Sequence, residues 1–299
     1  MSPRAVGLLA GFALDRLLGD PRRYHPVAGF GSVAMKAERA WYADDRARGV
    51  LHTATLVGGA VAFGAAAERL APGRIGTTLV TAGATWAVLG GRSLEREALA
   101  VHAHLDRDDL PAARQRLTHL VGRDTEELDA SEVSRAVVES VAENTSDAVV
   151  APLVWGAVAG VPGLLGYRAA NTLDAMVGHH NDRYERFGWA SARLDDVLNL
   201  PGSRLSGLLT LAAAPSRARQ AWEAWRRDAA RHPSPNAPTR FRRHRRSSPA
   251  RPPSRARRRT TTSCARSPQC STSSASTLRS RGSRAARLSR STRSNSARA

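Results

Sequence analysis

The chain has few of the residues that crosslink a small protein or bind metals through sulfur. Its 299 residues include two cysteines, Cys264 and Cys270, and one lysine, Lys36. Residues 1–236 therefore contain no cysteine, which excludes a disulfide framework and a cysteine-ligated metal site there. The sequence also lacks a P-loop, a glycine-rich dinucleotide loop and a nucleophile elbow. If the protein uses a nucleotide, it binds that nucleotide by other means.

Acidic residues are missing from the C-terminal segment, residues 237–299. This segment holds 18 of the 45 basic residues, all of them arginine, so residues 1–236 carry 27 basic and 26 acidic residues. The segment is rich in Ser, Thr, Ala and Pro and has too few apolar residues to form a core, so we predict a disordered tail. This amino-acid composition is typical of the product of a GC-rich gene that is read in a shifted frame. The alternative is a genuine basic tail that binds nucleic acid or anionic lipid by charge alone, without sequence-specific nucleic-acid recognition.

Alternating strand patterns are also missing from residues 1–236, and apolar runs take their place. We therefore predict an all-α fold. One run has the length of about 20 residues that spans a bilayer, and the Gly, Ala and Thr in these runs are typical of closely packed membrane helices. We predict a multi-pass helical membrane domain over residues 1–236, the alternative being a soluble protein with buried helical hairpins. The apolar runs cover residues 5–18, 50–70, 77–91, 148–166 and 203–214, and an amphipathic helix is predicted over 27–48.

A charged stretch over about residues 92–146 separates the second and third long apolar runs. Its apolar residues recur at helical spacing beside charged faces. We predict a water-facing lobe of three short helices, over 92–106, 109–122 and 129–143. Ser131 is expected to cap the last of these helices, with Glu132 in its first turn.

Two polar clusters flank the run at 148–166. Glu139, Glu143 and Asp147 have i, i+4 and i+8 spacing, which places them on one face of a continuous helix. Stacked carboxylates repel one another unless a cation lies between them, and Mg²⁺ prefers oxygen ligands. The pattern therefore predicts a metal-nucleotide site that includes Glu143 and Asp147. The alternative is a solvated acidic face at the end of a helix.

The second cluster covers residues 171–196. Asn171 and Asp174 have i, i+3 spacing, and the adjacent Asp195 and Asp196 could hold Mg²⁺. The arginines on and beside this segment are candidates for binding phosphate, chiefly Arg168 and Arg193. The adjacent histidines at 179 and 180 point in different directions on a helix and are not predicted to share a metal. The alternative is a charged loop at the lipid headgroups.

A straight helix over residues 148–166 would be about 28 Å long and would hold the two clusters apart. The run contains Gly160, Pro162, Gly163 and Gly166, which favour a break. We predict a helical hairpin or a re-entrant turn there, buried within the protein because unpaired backbone in lipid is costly. The hairpin would bring both clusters to one site.

Three segments together resemble the cobalamin-biosynthesis membrane proteins called CobD in the aerobic pathway and CbiB in the anaerobic one. They are "LDRLLGDPRRYHPVAGFG" (14–31), the block over 139–205 that includes "ENTSDAVVAPLVWG" and "AANTLDAMVGHHNDRYERFGWASARLDD", and "RHPSPNA" (231–237). The resemblance implies an adenosylcobinamide-phosphate synthase, which uses ATP and Mg²⁺ to join (R)-1-amino-2-propanol O-phosphate to adenosylcobyric acid. It also implies a bacterial cell-membrane location, a lipid-bilayer environment and contacts with other corrinoid-pathway enzymes. After residue 237 the chain departs from the family pattern, which continues with further apolar helices.

The implied amide ligation lets the clusters be given roles as hypotheses. Activating a carboxylate and then joining it to an amine requires a metal, phosphate-binding groups and a base. The hypotheses assign Glu143, Asp147 and Asp174 to the metal and its nucleotide, Arg168 and Arg193 to phosphate, Asn144 and Asn171 to amide or carboxylate groups, and Asp195 or Asp196 to a base or second metal ligand.

Three other functions remain open. One is a non-catalytic membrane protein of related fold, such as a sensor or an assembly partner. The second is a nucleic-acid-binding protein that acts through the tail, and the third is a soluble helical scaffold. Because the tail replaces the expected family pattern, a truncated and inactive family member is a further possibility.

Overall fold

A computed structural model describes residues 1–20, 25–122, 124–220 and 222–223. In this part of the chain the regular structure is entirely helical, which confirms the all-α prediction. The predicted tail and the boundary at 236/237 lie outside the described residues. The helices are α1 Pro3–Leu18, α2 Pro26–Trp41, α3 Arg46–Leu70, α4 Gly73–Val88, α5 Gly91–Leu105, α6 Leu110–Leu117, α7 Ala130–Thr145, a π-helical turn Ser146–Val150, α8 Ala151–Val177, α9 Trp189–Ala213 and a short 3₁₀ turn Pro215–Arg217.

Helices α1 and α4 pack with their backbones in close approach. Gly7 and Gly11 of α1 lie against Thr81 and Thr85 of α4, and a Cβ atom at either glycine would overlap the facing threonine. Small residues permit this kind of contact between apolar helices. The two helices therefore form one layer, to which α8 also packs.

The charged stretch forms three helices, as predicted, while its water-facing position stays a prediction. Helices α5, α6 and α7 pack on one another around a small apolar core formed by Val101, Ala113, Leu117, Val133 and Ala136. One detail of the prediction is wrong, because Asp129 rather than Ser131 caps α7. Asp129 accepts a hydrogen bond from the backbone N–H of Glu132, whose side chain in turn accepts from the N–H of Asp129, and this reciprocal pair satisfies two free donors.

The predicted single helix over 27–48 is also wrong. Helix α2 ends at Trp41, and Tyr42 has extended backbone angles. Asp45 then begins α3 by accepting a hydrogen bond from the N–H of Arg48, at 3.0 Å. The amphipathic period runs through both segments, but the capping carboxylate favours a new helix start at Asp45.

Two helical stretches among the described residues are long and apolar enough to cross a membrane. They are Arg46–Leu70 and the continuous stretch Ala130–Val177. Helix α4, which contains the predicted run at 77–91, has only 16 residues. Length and composition thus support a membrane location weakly, and the multi-pass arrangement stays a prediction.

Candidate functional site

Helix α8 reverses direction at Gly160, where the backbone has φ 67° and ψ −150°. A Cβ atom added to Gly163 would overlap the backbone carbonyl of Trp155, and one added to Gly156 would overlap the side chain of Leu164. Residues eight apart on a straight helix are separated by about 12 Å, so the chain must fold back. The structure confirms the predicted hairpin, with residues 146–159 as its first arm and 161–177 as its second arm.

The tip of the hairpin is held by α1 and α3. Glu68 of α3 accepts a hydrogen bond at 2.9 Å from the N–H of Val161, the first residue after the reversal. Gly64 packs directly on Pro162, and the guanidinium of Arg4 lies beside Gly160. The arms are about 21 and 25 Å long, shorter than the roughly 30 Å hydrocarbon core of a bilayer. The apolar stretch Ala130–Val177 therefore does not form one straight span.

At the open end of the hairpin, the start of the first arm lies beside the second arm. Asn199 of α9 is buried there, and its amide nitrogen donates a hydrogen bond to the carboxylate of Asp147. The amide oxygen of Asn199 accepts from the hydroxyls of Ser146 and Tyr167, each at 3.3 Å. One side chain thus joins the π-helical turn, the second arm and α9.

A second polar contact lies one helical turn earlier on α9. Asn171 of the second arm donates a hydrogen bond to Asp195 at 3.2 Å, and its amide oxygen accepts from Arg168 at 3.3 Å. Asp195 is only 7% exposed. The structure therefore brings together three residues that the sequence assigned to one site: Arg168 and Asn171 from the second arm and Asp195 from α9.

Burial, together with the nearby carboxylates of Asp174 and Asp147, raises the pKa of Asp195 to about 7. The hydrogen bond from Asn171 opposes this rise because it favours the ionised form. Asp147, Asp174 and Asp195 are thus close enough to interact. An acid that titrates near neutral pH is suited to exchanging protons with a substrate.

Arg168 carries a donor that no described residue uses. Its Nε atom is buried and lacks a hydrogen-bond partner in the described part of the chain. The carboxylates of Asp20 and Asp147 are near enough to interact with its charge. A guanidinium presents a rigid set of donors that matches phosphate or carboxylate oxygens. The free donor makes Arg168 the best-placed anion-binding candidate at this end of the hairpin.

The carboxylates of this cluster are candidates for holding a magnesium ion that keeps most of its water or phosphate ligands. Among the residues that the structure describes, no group of three or more His, Cys, Asp or Glu side chains is arranged to hold a metal ion. Asp147 and Asp174 nevertheless lie close enough to act together on Asp195. Mg²⁺ is commonly held by one or two carboxylates, with phosphate and water oxygens completing its shell. Asp147 and Asp174 are therefore the candidates for such a pair of carboxylate ligands.

Four predicted residues lie at the edges of this cluster. Glu143 and Asn144 are in the last turn of α7, where the Asn144 amide donates to the carbonyl and hydroxyl oxygens of Ser140 in its own helix. Arg193 is largely exposed and lies 3.7 Å from Asp196 in an i, i+3 pair on α9. The roles of these four residues stay predictions.

Sequence reasoning missed Asn199, Ser146 and Tyr167. Asn199 follows Asp195 by four residues, so both lie on one face of α9, and this spacing was a usable signal. The π-helical turn was also missed. Such turns are often found at functional sites, and here the turn carries Asp147.

The loop between α8 and α9 is fastened to α2. Glu38 is mostly buried and accepts hydrogen bonds from Arg183 and Tyr184, both at 2.9 Å. Tyr42 donates to the backbone carbonyl of Arg183, and the Arg183 guanidinium lies over the Tyr42 ring at 4.4 Å from its centre. These contacts fix the connection between the two helices that carry Asn171 and Asp195.

The described structure defines a helical protein in which a hairpin presents carboxylates, amides and an arginine at its open end. The chain belongs to the CobD/Cbib protein family, whose model matches residues 8–240. It is 53% identical over 237 residues to the cobalamin biosynthesis protein CobD of Mycobacterium tuberculosis (strain CDC 1551 / Oshkosh), covering 78% of this chain and 75% of that protein. The proteins of the same name from Rhodobacter capsulatus and Geobacter metallireducens are 43% and 44% identical, covering 78–79% of this chain and 76–77% of the relatives. No solved structure matches the chain.

Proposed function

We propose that the protein acts in cobalamin biosynthesis as an adenosylcobinamide-phosphate synthase. It would join (R)-1-amino-2-propanol O-phosphate to a propionate carboxylate of adenosylcobyric acid and consume ATP. Membership of the CobD/Cbib family supports the pathway. The observation that carries the proposal is the open end of the hairpin, where carboxylates, amides and a guanidinium with a free donor come together from three segments of the chain.

The reaction requires two covalent steps. The propionate carboxylate takes the γ-phosphoryl group of ATP and releases ADP, which gives an acyl phosphate. The amine nitrogen then attacks the carbonyl carbon, forms the amide bond, expels phosphate and loses a proton. Magnesium would neutralise the charge of the phosphate oxygens during phosphoryl transfer.

The side chains of the cluster supply the remaining parts of this chemistry. Asp147 and Asp174, with Glu143 at the end of α7, would hold Mg²⁺ with its nucleotide. Arg168 would bind a phosphate group, and Arg193 could assist from the surface. Asp195 would act as the general base that takes the proton from the substrate ammonium group, because its pKa near 7 lets it accept a proton at physiological pH. Asp196 is the alternative base.

The two predicted amide ligands complete the assignment. Asn171 bridges Arg168 and Asp195, so it would orient a carboxylate or amide group of the substrate between them. Asn144 would act similarly from α7. The protein would work in the bacterial cell membrane, and the apolar surface of its helices would face lipid.

Assaying the detergent-purified protein tests this proposal. It should convert adenosylcobyric acid, aminopropanol phosphate and Mg·ATP to adenosylcobinamide phosphate, detected by mass spectrometry. We expect Glu143→Gln and Asp174→Asn to reduce the rate at least 100-fold, about 2.7 kcal/mol of transition-state stabilisation. Glu126→Gln, in the loop before α7, is the matched control and should leave the rate unchanged. Full activity of both site variants would refute the metal assignment.

A second candidate function is a family member that binds substrates without converting them. About a quarter of each relative lies outside its alignment with this chain, and groups in that quarter could be required for turnover. This alternative predicts binding of adenosylcobyric acid and of an ATP analogue in calorimetry, with no product in the same preparation. A sensor or assembly partner would give that result too.

A further inference from the structure

An arginine and a carboxylate lie close together at the open end of the hairpin without forming an ion pair. Arg168 on the second arm and Asp195 on α9 each form a hydrogen bond with Asn171, and no ion pair joins the two charges in the described part of the chain. Charged groups that are taken out of water are usually paired directly. The separation of these two charges therefore requires an explanation.

The amide of Asn171 holds the two charges apart with a defined polarity. Its oxygen accepts from Nη1 of Arg168 at 3.3 Å, and its nitrogen donates to Oδ1 of Asp195 at 3.2 Å. The reverse orientation would place donor against donor and acceptor against acceptor. The two hydrogen bonds, and an amide group that is about 2.3 Å wide, keep Nη1 of Arg168 within about 9 Å of Oδ1 of Asp195.

Both charged groups keep hydrogen-bonding capacity that the described residues do not use. Nε of Arg168 is buried and has no partner there. The bond from Asn171 is the one hydrogen bond that Asp195 forms within the described ranges, and it engages one carboxylate oxygen. Asp174 and Asp147 add negative charge near Asp195, which favours a cation at that end. A ligand that brings an anion to Arg168 and a cation to Asp195 would match both groups.

We propose that Arg168 and Asp195 bind the two ends of one zwitterionic substrate, the amino-alcohol phosphate, and that Asn171 is the spacer that sets its length. The inference rests on the proposed function for the identity of this substrate. It assigns the phosphate at Arg168 to the amino alcohol rather than to ATP. Asp195 then holds the ammonium group whose proton it accepts.

The dimensions of the substrate agree with this assignment. In a 1-amino-2-alkanol phosphate two carbon atoms separate the nitrogen from the ester oxygen, which places the nitrogen roughly 4–6 Å from the terminal phosphate oxygens. With a hydrogen bond of about 2.9 Å at each end, the molecule bridges a gap of this size in a bent form. A third carbon in the spacer would move the amine by about 1.3 Å, and a displacement of that size lowers reactivity strongly.

Titration calorimetry with the full-length protein in detergent tests the proposal without turnover. The reference ligand is (R)-1-amino-2-propanol O-phosphate. Isopropyl phosphate lacks its amine, 1-amino-2-propanol lacks its phosphate, and 3-amino-1-propanol O-phosphate has the same atoms and charges with a longer spacer. We expect each of these three to bind at least tenfold more weakly. A non-hydrolysable ATP analogue should not compete with the reference ligand.

One variant locates the ammonium group. Asp195→Asn removes the charge at almost constant size, so it should weaken binding of aminopropanol phosphate at least tenfold and leave binding of isopropyl phosphate unchanged. Asp106→Asn is the matched control, because Asp106 is exposed at the end of α5 in the lobe. It should bind both ligands as the wild type does.

Several results would overturn the proposal. They are equal wild-type affinities for aminopropanol phosphate and isopropyl phosphate, an equal loss of both in Asp195→Asn, competition by the ATP analogue, or no binding of aminopropanol phosphate at millimolar concentration. A protein that shows the expected binding but forms no product in the ligation assay would retain this inference and refute the ligase proposal. A protein that forms product but binds isopropyl phosphate equally well would refute this inference alone.

Discussion

At the scale of single residues, the site depends on buried hydrogen-bond donors that have no acceptor in the described part of the protein. Arg168 is the clearest example, because its buried Nε has no partner among the described residues while its terminal nitrogen is already engaged with Asn171. Leaving a buried donor unpaired costs roughly 1–3 kcal/mol. An anion that accepts from Nε would recover that cost, so the residue favours the bound state.

Replacing Arg168 with lysine tests this interpretation. Lysine keeps the positive charge but loses the planar set of donors, so we expect KM for aminopropanol phosphate or for ATP to rise at least tenfold, about 1.4 kcal/mol. Steady-state kinetics with each substrate varied in turn would show which phosphate is bound. Arg69→Lys is the control, at the exposed end of α3 beside the hairpin tip. Equal KM values for Arg168→Lys and wild type would remove Arg168 from the site.

At the scale of secondary structure, the hairpin in one apolar run brings the polar side chains at the ends of its two arms together. The reversal depends on Gly160, whose positive φ is accessible at low cost only to glycine. Glu68 and Arg4 fill the space where its Cβ atom would lie. Backbone strain and steric overlap therefore act together at this position.

We expect Gly160→Ala to lower the free energy of unfolding by about 1–3 kcal/mol and to abolish ligation, because opening the reversal separates Asp147 from Tyr167 and Asn171. Unfolding midpoints in detergent and product formation measure the two effects. Gly59→Ala is the matched control, since Gly59 is helical and has no atom within 4 Å of the added Cβ. An active, stable Gly160→Ala protein would show that the reversal is not required.

The helices and their ends also show which structural features can be predicted from a sequence. The break near Gly160 was predictable because Gly and Pro act through the local backbone, and the lobe was predictable because its apolar residues have a clear helical period. The end of α2 at Trp41, the cap at Asp129 and the π-helical turn were not. Each depends on a choice between nearly equal local alternatives that packing and hydrogen bonds decide.

The candidate site was predictable to a similar degree. Its acidic and amide residues were recognisable as clusters, and the expected hairpin brought the two clusters together. The contact between Asn199 and Asp147 was not predictable, because 52 residues separate the partners and the rotation of α9 about its axis determines which of its polar side chains faces the hairpin. The rotation of α9 about its axis also explains why Arg193 is largely exposed.

At the scale of the whole molecule, the main question is how the protein associates with the membrane. Large apolar side chains are exposed on several helices, including Leu9 of α1, Phe63 of α3 and Ile75 and Leu79 of α4. Large apolar patches are rare on water-soluble monomers, so exposed side chains of this size favour contact with lipid. The net charge of +19, most of it in residues 237–299, offers a different route, through attraction to anionic lipid headgroups.

These two routes differ in their response to salt and detergent. Charge attraction is screened within about 3 Å in 1 M salt, whereas apolar contact with lipid persists there and yields only to detergent. We expect the full-length protein and a variant that ends at residue 236 to remain in the membrane pellet after a 1 M salt wash. Both should be extracted by a mild non-ionic detergent. Immunoblotting of the supernatant and pellet fractions measures the partition.

The variant that ends at residue 236 makes the comparison decisive. If it enters the soluble fraction without detergent while the full-length protein stays bound at low salt, the basic tail supplies the membrane attachment and residues 1–236 form a soluble helical scaffold. If both stay in the pellet, the apolar helices are the anchor. The hairpin arms, each too short to span a bilayer alone, then hold the carboxylate cluster at a depth set by the helices around them.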